Sequence, residues 1–275
     1  MKIYITGSHG FIGSHLVKYL SDLGFEMMPL NRGEMPSLKA DAIIHLAGEN
    51  IAGQRWTAAY KKTIYDSRVI GTQNLVHDLI ENDLIPKVFI SASAVGYYGD
   101  RGSEILTENS MKGEGFLADV CSDWELASMD LQDARVCHAR FGMVLSRDGG
   151  ALAKLLPLFK AGLGGRLGSG CQYVSWIHMD DLVRGLHHIL VTNCLAGPIN
   201  LTAPEPVLNK VFTQALAQAL NRWVGPPIPA WILRLVLGEK ADNLLLASQR
   251  AVPEKLLKSG FSFNIANIEE ALAKN

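Results

Sequence analysis

The apolar, β-branched run Lys2–Thr6 stops at a glycine, and Phe11–Leu23 then carries Ile12, Leu16, Val17 and Leu20 at helical spacing. The turn between them reads Thr6-Gly7-Ser8-His9-Gly10-Phe11-Ile12-Gly13. A strand, a turn with glycines at every third position and an amphipathic helix leave few architectures open. Gly7 permits a tight turn, Gly10 lets the backbone approach a pyrophosphate, and Gly13 allows the helix to pack closely on the strand. The N-terminus of that helix offers unpaired N–H donors and the positive end of its dipole, which suits phosphate. His9 is read as a loop residue. The unit buries its apolar faces only within an α/β fold.

The rest of the first half keeps this rhythm. Glu26–Leu30, Ala42–Ala47, Val88–Ala92 and Val136–Val144 read as buried strands, with helices over Ser67–Asn82 and Phe116–Leu131. Near-continuous apolar strands separated by helices indicate a parallel sheet covered on both faces. The predicted fold is a Rossmann-type doubly wound parallel sheet with a smaller C-terminal substrate lobe. Beyond Gly149, glycine crowds Gly162–Gly170 and prolines collect from Pro198 to Pro229, while Asp181–Leu190 and Leu208–Leu220 still read as helices. We therefore divide the chain into a dinucleotide-binding domain, 1–150, and a substrate lobe, 151–275, partly interleaved with the first.

Charge and hydropathy narrow the partners. The 26 Lys+Arg against 27 Asp+Glu give a net charge of −1, which argues against nucleic acid, since phosphate-dominated affinity needs a basic excess. A membrane span needs about 20 apolar residues, and the longest apolar stretch, Ile228–Leu237, is short and broken by Arg234. The glycine turn follows Met1 too closely for a signal peptide, so a cytoplasmic setting is expected. Cys121, Cys137, Cys171 and Cys194 show no CxxC spacing, so neither a metal nor a disulfide is expected.

Several motifs resemble one superfamily as a set. Thr6–Gly13 is similar to the TGxxGFIG signature of the extended short-chain dehydrogenase/reductases. His45-Leu46-Ala47-Gly48-Glu49-Asn50-Ile51, Arg55-Trp56, Ser67-Arg68-Val69, the run Ser91–Gly99, Trp124-Glu125 and the C-terminal Gly260-Phe261 follow in order. Over nearly its whole length the chain resembles an atypical branch of this superfamily. It is the NAD-dependent epimerase/dehydratase-like family often labelled cell-division-inhibitor or sugar-epimerase homologues. The resemblance implies that Gly7, Gly10, Phe11, Ile12 and Gly13 surround the pyrophosphate, that Leu46, Ala47 and Gly48 line the adenosine trough, and that Arg68 reaches the cofactor. The residue types at the end of the second strand choose the cofactor. An NAD site places a carboxylate there for the ribose 2′-hydroxyl, whereas Leu30-Asn31-Arg32-Gly33 offers none before Glu34. A guanidinium matches a 2′-phosphate, so Asn31 and Arg32 point to NADP(H).

The superfamily's Tyr-x-x-x-Lys pair is absent. Tyr4, Tyr19, Tyr60, Tyr65, Tyr97, Tyr98 and Tyr173 are followed four residues later by Ser8, Leu23, Ile64, Val69, Arg101, Gly102 and Ile177. The corresponding helix starts Gly115-Phe116-Leu117, placing Phe116 or Leu117 at the tyrosine position. Ser93 matches the superfamily's catalytic Ser/Thr, and Tyr97 or Tyr98 approaches the nicotinamide edge in our reading. Tyr98 is the preferred proton donor, on a loop flanked by Gly96 and Gly99. Asp119 and Glu125 are read as a solvated helix face, and His187-His188 as packing residues. The segment Gly168–Asp181 resembles a substrate-cleft lining, with Asp180 or Asp181 capping the next helix and Arg166 or His178 available to a substrate. The function expected is an NADP(H)-dependent oxidoreductase or epimerase-like enzyme acting on a small carbonyl or alcohol. A catalytically silent NADP(H)-binding sensor is the second reading, and a homodimer is left open.

Overall fold

The computed structural model of the chain describes residues 1–31 and 33–274. Six short strands, apolar on both sides, form one parallel sheet: β1 (Lys2–Thr6), β2 (Glu26–Leu30), β3 (Ala42–His45), β4 (Val88–Ala94), β5 (Arg135–Phe141) and β6 (Gly197–Leu201). Their spatial order is β6-β5-β4-β3-β1-β2, so the chain crosses over β1 between β2 and β3. That reversal leaves a crevice at the C-terminal ends of β1 and β3, where ligands bind in open α/β sheets. The sixth strand comes from beyond Gly149 and joins both halves of the chain in one sheet.

Helices cover both faces. α1 (Phe11–Asp22) packs Leu16 and Leu20 against Ile3, Ile5 and Ile44, together with the later helix Met179–Val191. On the other face α2 (Ala58–Glu81) sets Leu75, Val76 and Leu79 on Tyr4, Ile43 and Phe89, and α3 (Phe116–Leu126) brings Trp124 against Val69 and Ala92. The second lobe holds a separate core, in which α4 (Gly150–Lys160) contributes Leu152 and Phe159. Trp176, Phe212, Leu216 and Leu272 complete that core. We number the Met179–Val191 helix α5, Asn209–Ala219 α6 and Ala230–Leu237 α7.

Several boundaries differ from the sequence expectation: α3 ends at Leu126 rather than Leu131 and β3 at His45 rather than Ala47. α2 starts at Ala58 rather than Ser67, capped by Thr57, whose hydroxyl accepts from the Tyr60 N–H at 3.1 Å. The polar residues Lys61, Lys62 and Asp66 blur the apolar period of its first turns, and the cap is the signal that remains. The strand after Arg135 ends at Phe141, and Met143–Leu145 pairs instead with Trp176–His178.

Close approach, not turn geometry alone, makes the first loop glycine-rich. A Cβ on Gly13 would lie 2.0 Å from the Gly7 carbonyl oxygen, whereas one on Gly10 would lie 3.1 Å from it. Gly13→Ala is therefore expected to destabilise the fold by roughly 1–3 kcal/mol through overpacking, with Gly10→Ala well below that. Urea unfolding of both variants checks the order.

Candidate cofactor and substrate site

Gly7 turns the chain out of β1 at φ +69°, and Gly10 occupies the cap of α1 without a side-chain hydrogen bond. No acidic residue lies in the first turn. The amides there keep their positive field for an anion. A Cβ on Gly7 would come within 3.0 Å of the Leu46 carbonyl carbon, so the glycine turn and the loop after β3 lie back to back. Phe11 and Ile12 are half-buried against the main core, the Phe11 ring lying where a Cβ on Gly149 or Gly150 would fall. Beyond β2, Asn31 donates through its backbone N–H and its side-chain amide to the Glu34 carboxylate, at 2.9 and 2.8 Å. These bonds hold the Glu34 carboxyl below its usual pKa. Arg32, the basic partner expected there, lies outside the described residues.

Parallel register makes a buried polar row at this sheet edge. Thr6, His45, Ser91 and His138 stand opposite one another on β1, β3, β4 and β5. The Thr72 hydroxyl donates to the Arg68 carbonyl, so its oxygen accepts from Trp124 Nε1 at 3.0 Å and from His45 Nε2 at 3.0 Å. His45 Nδ1 then accepts from the Thr6 hydroxyl at 2.8 Å, and Thr6 in turn accepts from the Ala47 N–H. This assignment keeps His45 neutral, and burial pushes its pKa down to about 4. Arg68 holds the next stretch of loop, donating to the Glu49 carbonyl at 2.8 Å with its guanidinium over Trp124. A Cβ on Gly48 would sit 3.2 Å from that guanidinium carbon.

The expected catalytic hydroxyls lie two strands away. Ser93, Arg140 and Asn200 stand in register on β4, β5 and β6. Arg140 forms two parallel bonds to the Glu125 carboxylate, 2.8 Å from Nε and 2.7 Å from Nη2. Ser93, only 1% exposed, donates to the same carboxylate at 2.7 Å. Tyr98 is fully buried; it accepts from Arg140 at 3.0 Å and donates to Asn200 Oδ1 at 2.7 Å. Burial pushes its phenol up to about 12. The Tyr97 ring lies 3.6 Å from the Arg140 guanidinium, and among the described residues its hydroxyl has no hydrogen-bond partner. On α3, Leu117 and Cys121 face Gly96 one turn apart, while Phe116 packs edge-on against Trp56. Burial raises the Cys121 thiol to about 11.

A cavity of about 290 Å³ opens beside this network. Gly96 and Gly99, the start of α3 with Glu114 and Leu117, and the second-lobe residues Arg234, Asp242, Asn243 and Gln249 form its walls. Gln249 Nε2 donates to the Gly99 carbonyl at 3.0 Å, joining the lobe to the turn.

Residues 3–200 match the NAD dependent epimerase/dehydratase family, and residues 228–274 match a domain of unknown function, DUF1731. The chain belongs to the epimerase family. An epimerase family protein of Mycobacterium bovis is 41% identical over 98% of this chain and 96% of its own length. The crystal structure of the human epimerase family protein SDR39U1 (isoform 2) with NADPH superposes with a TM-score of 0.94 at 31% identity, covering 100% of this chain and 98% of that one. A nucleoside-diphosphate sugar epimerase from Corynebacterium glutamicum is 35% identical with a TM-score of 0.80, covering 99% of this chain but 57% of that one.

Within this epimerase family fold, the glycine turn abuts Leu46 and Ala47, and Gly48 packs against Arg68. The catalytic expectation needs correcting at Tyr98. Its hydroxyl is enclosed and hydrogen-bonded on both sides. Glu125 is likewise not on a solvated face but is the buried acceptor for Arg140 and Ser93, whereas Asp119 is exposed and pairs with Lys112. The cap of α5 is His178, whose Nδ1 accepts from the Asp180 N–H. Asp181 instead accepts from the amides of Asn264 and Ile265, anchoring the C-terminal segment. Arg166 is exposed and does not line the cavity; Arg234 does. His187 packs edge-on against Tyr19 and Phe25, and His188 bonds Ser259, as expected of packing residues.

Removing one partner of a buried ion pair leaves the other uncompensated, so Glu125→Ala is expected to cost about 3–5 kcal/mol. Tyr98→Phe should cost about 1–3 kcal/mol, because Arg140 and Asn200 lose a shared partner. Urea denaturation checks both against Asp119→Ala. Stability should also fall as pH drops from 6.5 towards 4, because the unfolded chain takes up the proton that folded His45 refuses. A shift of this size corresponds to roughly 3 kcal/mol lost by pH 4. That part of the pH dependence should be missing in His45→Asn.

Proposed function

We propose that the chain binds NADP(H) across the C-terminal edge of its sheet and reduces a small carbonyl compound. One observation carries the reading: the Gly7–Gly13 cradle, closed to side chains at Gly13 and capped by unpaired helix amides, abuts the loop after β3 at the point where the strand order reverses. The family match and the human relative crystallised with NADPH support the same cofactor. Gly7, Gly10 and Gly13 would hold the pyrophosphate, Leu46, Ala47 and Gly48 the adenosine side, and Asn31 and Arg32 the 2′-phosphate. When bound, NADPH supplies a hydride.

The chain's own residues determine where the proton comes from. With Leu117 and Cys121 one turn apart on α3, that helix face has no phenol and no ammonium to exchange a proton. Ser93 directs its hydrogen to Glu125, and Tyr98 directs its own to Asn200. The Tyr97 hydroxyl, without a hydrogen-bond partner among the described residues, on a ring stacked over Arg140, is the donor we assign. An ordinary phenol is a poor base at neutral pH but an adequate acid towards a developing alkoxide, so reduction is favoured over alcohol oxidation.

NADPH should bind more tightly than NADH, and Arg32→Ala should remove about ten- to a hundred-fold of that preference. Gly10→Val should fold yet lose NADPH, because its side chain would fill the pyrophosphate's place. Calorimetric titration of both nucleotides reads these outcomes, and equal wild-type affinities would reject the assignment. Tyr97→Phe should abolish most NADPH oxidation with an aldehyde panel while leaving NADPH affinity unchanged.

A further inference from the structure

The cavity between the Gly96–Gly99 turn, α3 and α7 is unusual in its charge. Asp100, Glu114 and Asp242 line it together with Arg234, and one Asp100 carboxylate oxygen accepts from the Gly102 and Ser248 amides. The Arg234 guanidinium is already engaged: its Nε donates to Asp242 at 2.9 Å, and Nη2 lies 2.9 Å from the same carboxylate. Glu114 is exposed and makes no side-chain hydrogen bond among the described residues. The neutral amides add acceptors. Asn243 donates to the Glu239 carbonyl and Gln249 to the Gly99 carbonyl, so each side-chain oxygen remains an acceptor. Leu117 gives the wall an apolar patch.

A pyrophosphate entering here would meet a net negative wall, whose one lining guanidinium among the described residues is already paired with Asp242, and clefts of one sign repel ligands of that sign. Hydroxyl and ammonium groups would find acceptors. The size agrees, since about 290 Å³ is at the lower end of the range of roughly 300–1,000 Å³ typical of small-molecule pockets. We infer that this cavity selects a small, phosphate-free carbonyl compound bearing hydroxyl or ammonium donors, and that nucleoside-diphosphate sugars are excluded from it. The inference rests on the reading of the chain as an NADPH-dependent reductase, and it sets this protein apart in substrate class from nucleotide-sugar enzymes of the same fold.

The test uses the full chain saturated with NADPH and three aldehydes of one shape: 4-carboxybenzaldehyde, 4-(hydroxymethyl)benzaldehyde and 4-(dimethylaminomethyl)benzaldehyde. Calorimetry reads binding, and NADPH absorbance reads turnover. The neutral and cationic aldehydes are expected to bind about tenfold or more tightly than the carboxylate, the scale of one close like-charge contact at a partly exposed site. UDP-glucose should not compete with them. Glu114→Gln, which leaves the cofactor crevice untouched, should narrow the gap between the cationic and anionic probes. Equal or tighter binding of 4-carboxybenzaldehyde, competition by UDP-glucose, or no binding of any probe overturns the inference. If the charge order holds in binding without turnover, the reductase reading fails and the selectivity stands. Turnover without charge order has the opposite meaning.

Discussion

A guanidinium enclosed by a fold must be met by a carboxylate and further acceptors, or its desolvation opposes folding by several kcal/mol. Arg140 meets that requirement with three of its donors, two on Glu125 and one on Tyr98. The consequence is geometric. β5 carries the arginine, α3 the glutamate, the turn after β4 the tyrosine and β6 the asparagine that receives the tyrosine's proton. Four elements from both halves of the chain therefore converge on one ion pair. Glu108 extends the cluster, one carboxylate oxygen accepting from the amides of Asn200 and Lys255 at 3.0 and 3.3 Å. Charge-assisted bonds of this kind are strongly directional, and they hold the buried Tyr98 of the turn after β4 between β5 and β6.

The two ends of the crevice use polar groups differently. At the β1–β3 end, the hydrogen-bond chain through Thr6, His45 and Thr72 contains no formal charge, so it shapes the cradle without competing with a bound phosphate. Arg68 lies against that loop, and its donors go to the Glu49 and Ile64 carbonyls and the Ser67 hydroxyl, fixing the loop's path. At the α3 end the ion pair is internal, and the cavity beside it presents carboxylates. One sheet edge thus offers an anion-receiving pocket and an anion-repelling one side by side.

What the sequence made legible follows from how local each constraint is. The Thr6–Gly13 cradle could be read because backbone approach depends on residues within one turn. The bounds of β1 and β2 followed equally well from short apolar runs. The Glu125–Arg140 cluster was not readable, because strand register alone brings Ser93, Arg140 and Asn200 together across distant positions. Tyr98 misled for a related reason: glycines on either side of a tyrosine pair look like hinges until the partner that pins the ring is known. Glu125 sits on a helix whose other acidic residue, Asp119, is solvated, and helical periodicity cannot say which of two carboxylates turns inward. Arg234 registered only as an interruption of an apolar stretch, yet it reaches the cavity wall.

The cavity beside α3 draws part of its wall from the last tenth or so of the chain, around Gln249. Arg250 and Ala251 pair with Ile105 and Leu106, and Ser248 and Gln249 bond to Asp100, Gly102 and Gly99. These contacts join segments roughly 145 residues apart, among the most distant pairings in the fold. Closing such long loops is entropically costly and comes late, after local βα units have formed. During synthesis the glycine cradle and its first four strands emerge well before the residues that wall the cavity. The glycine cradle is thus made before the residues that wall the cavity, yet Leu256 and Phe261, made last, complete the same apolar core as Ile3 and Ile5 beneath that cradle.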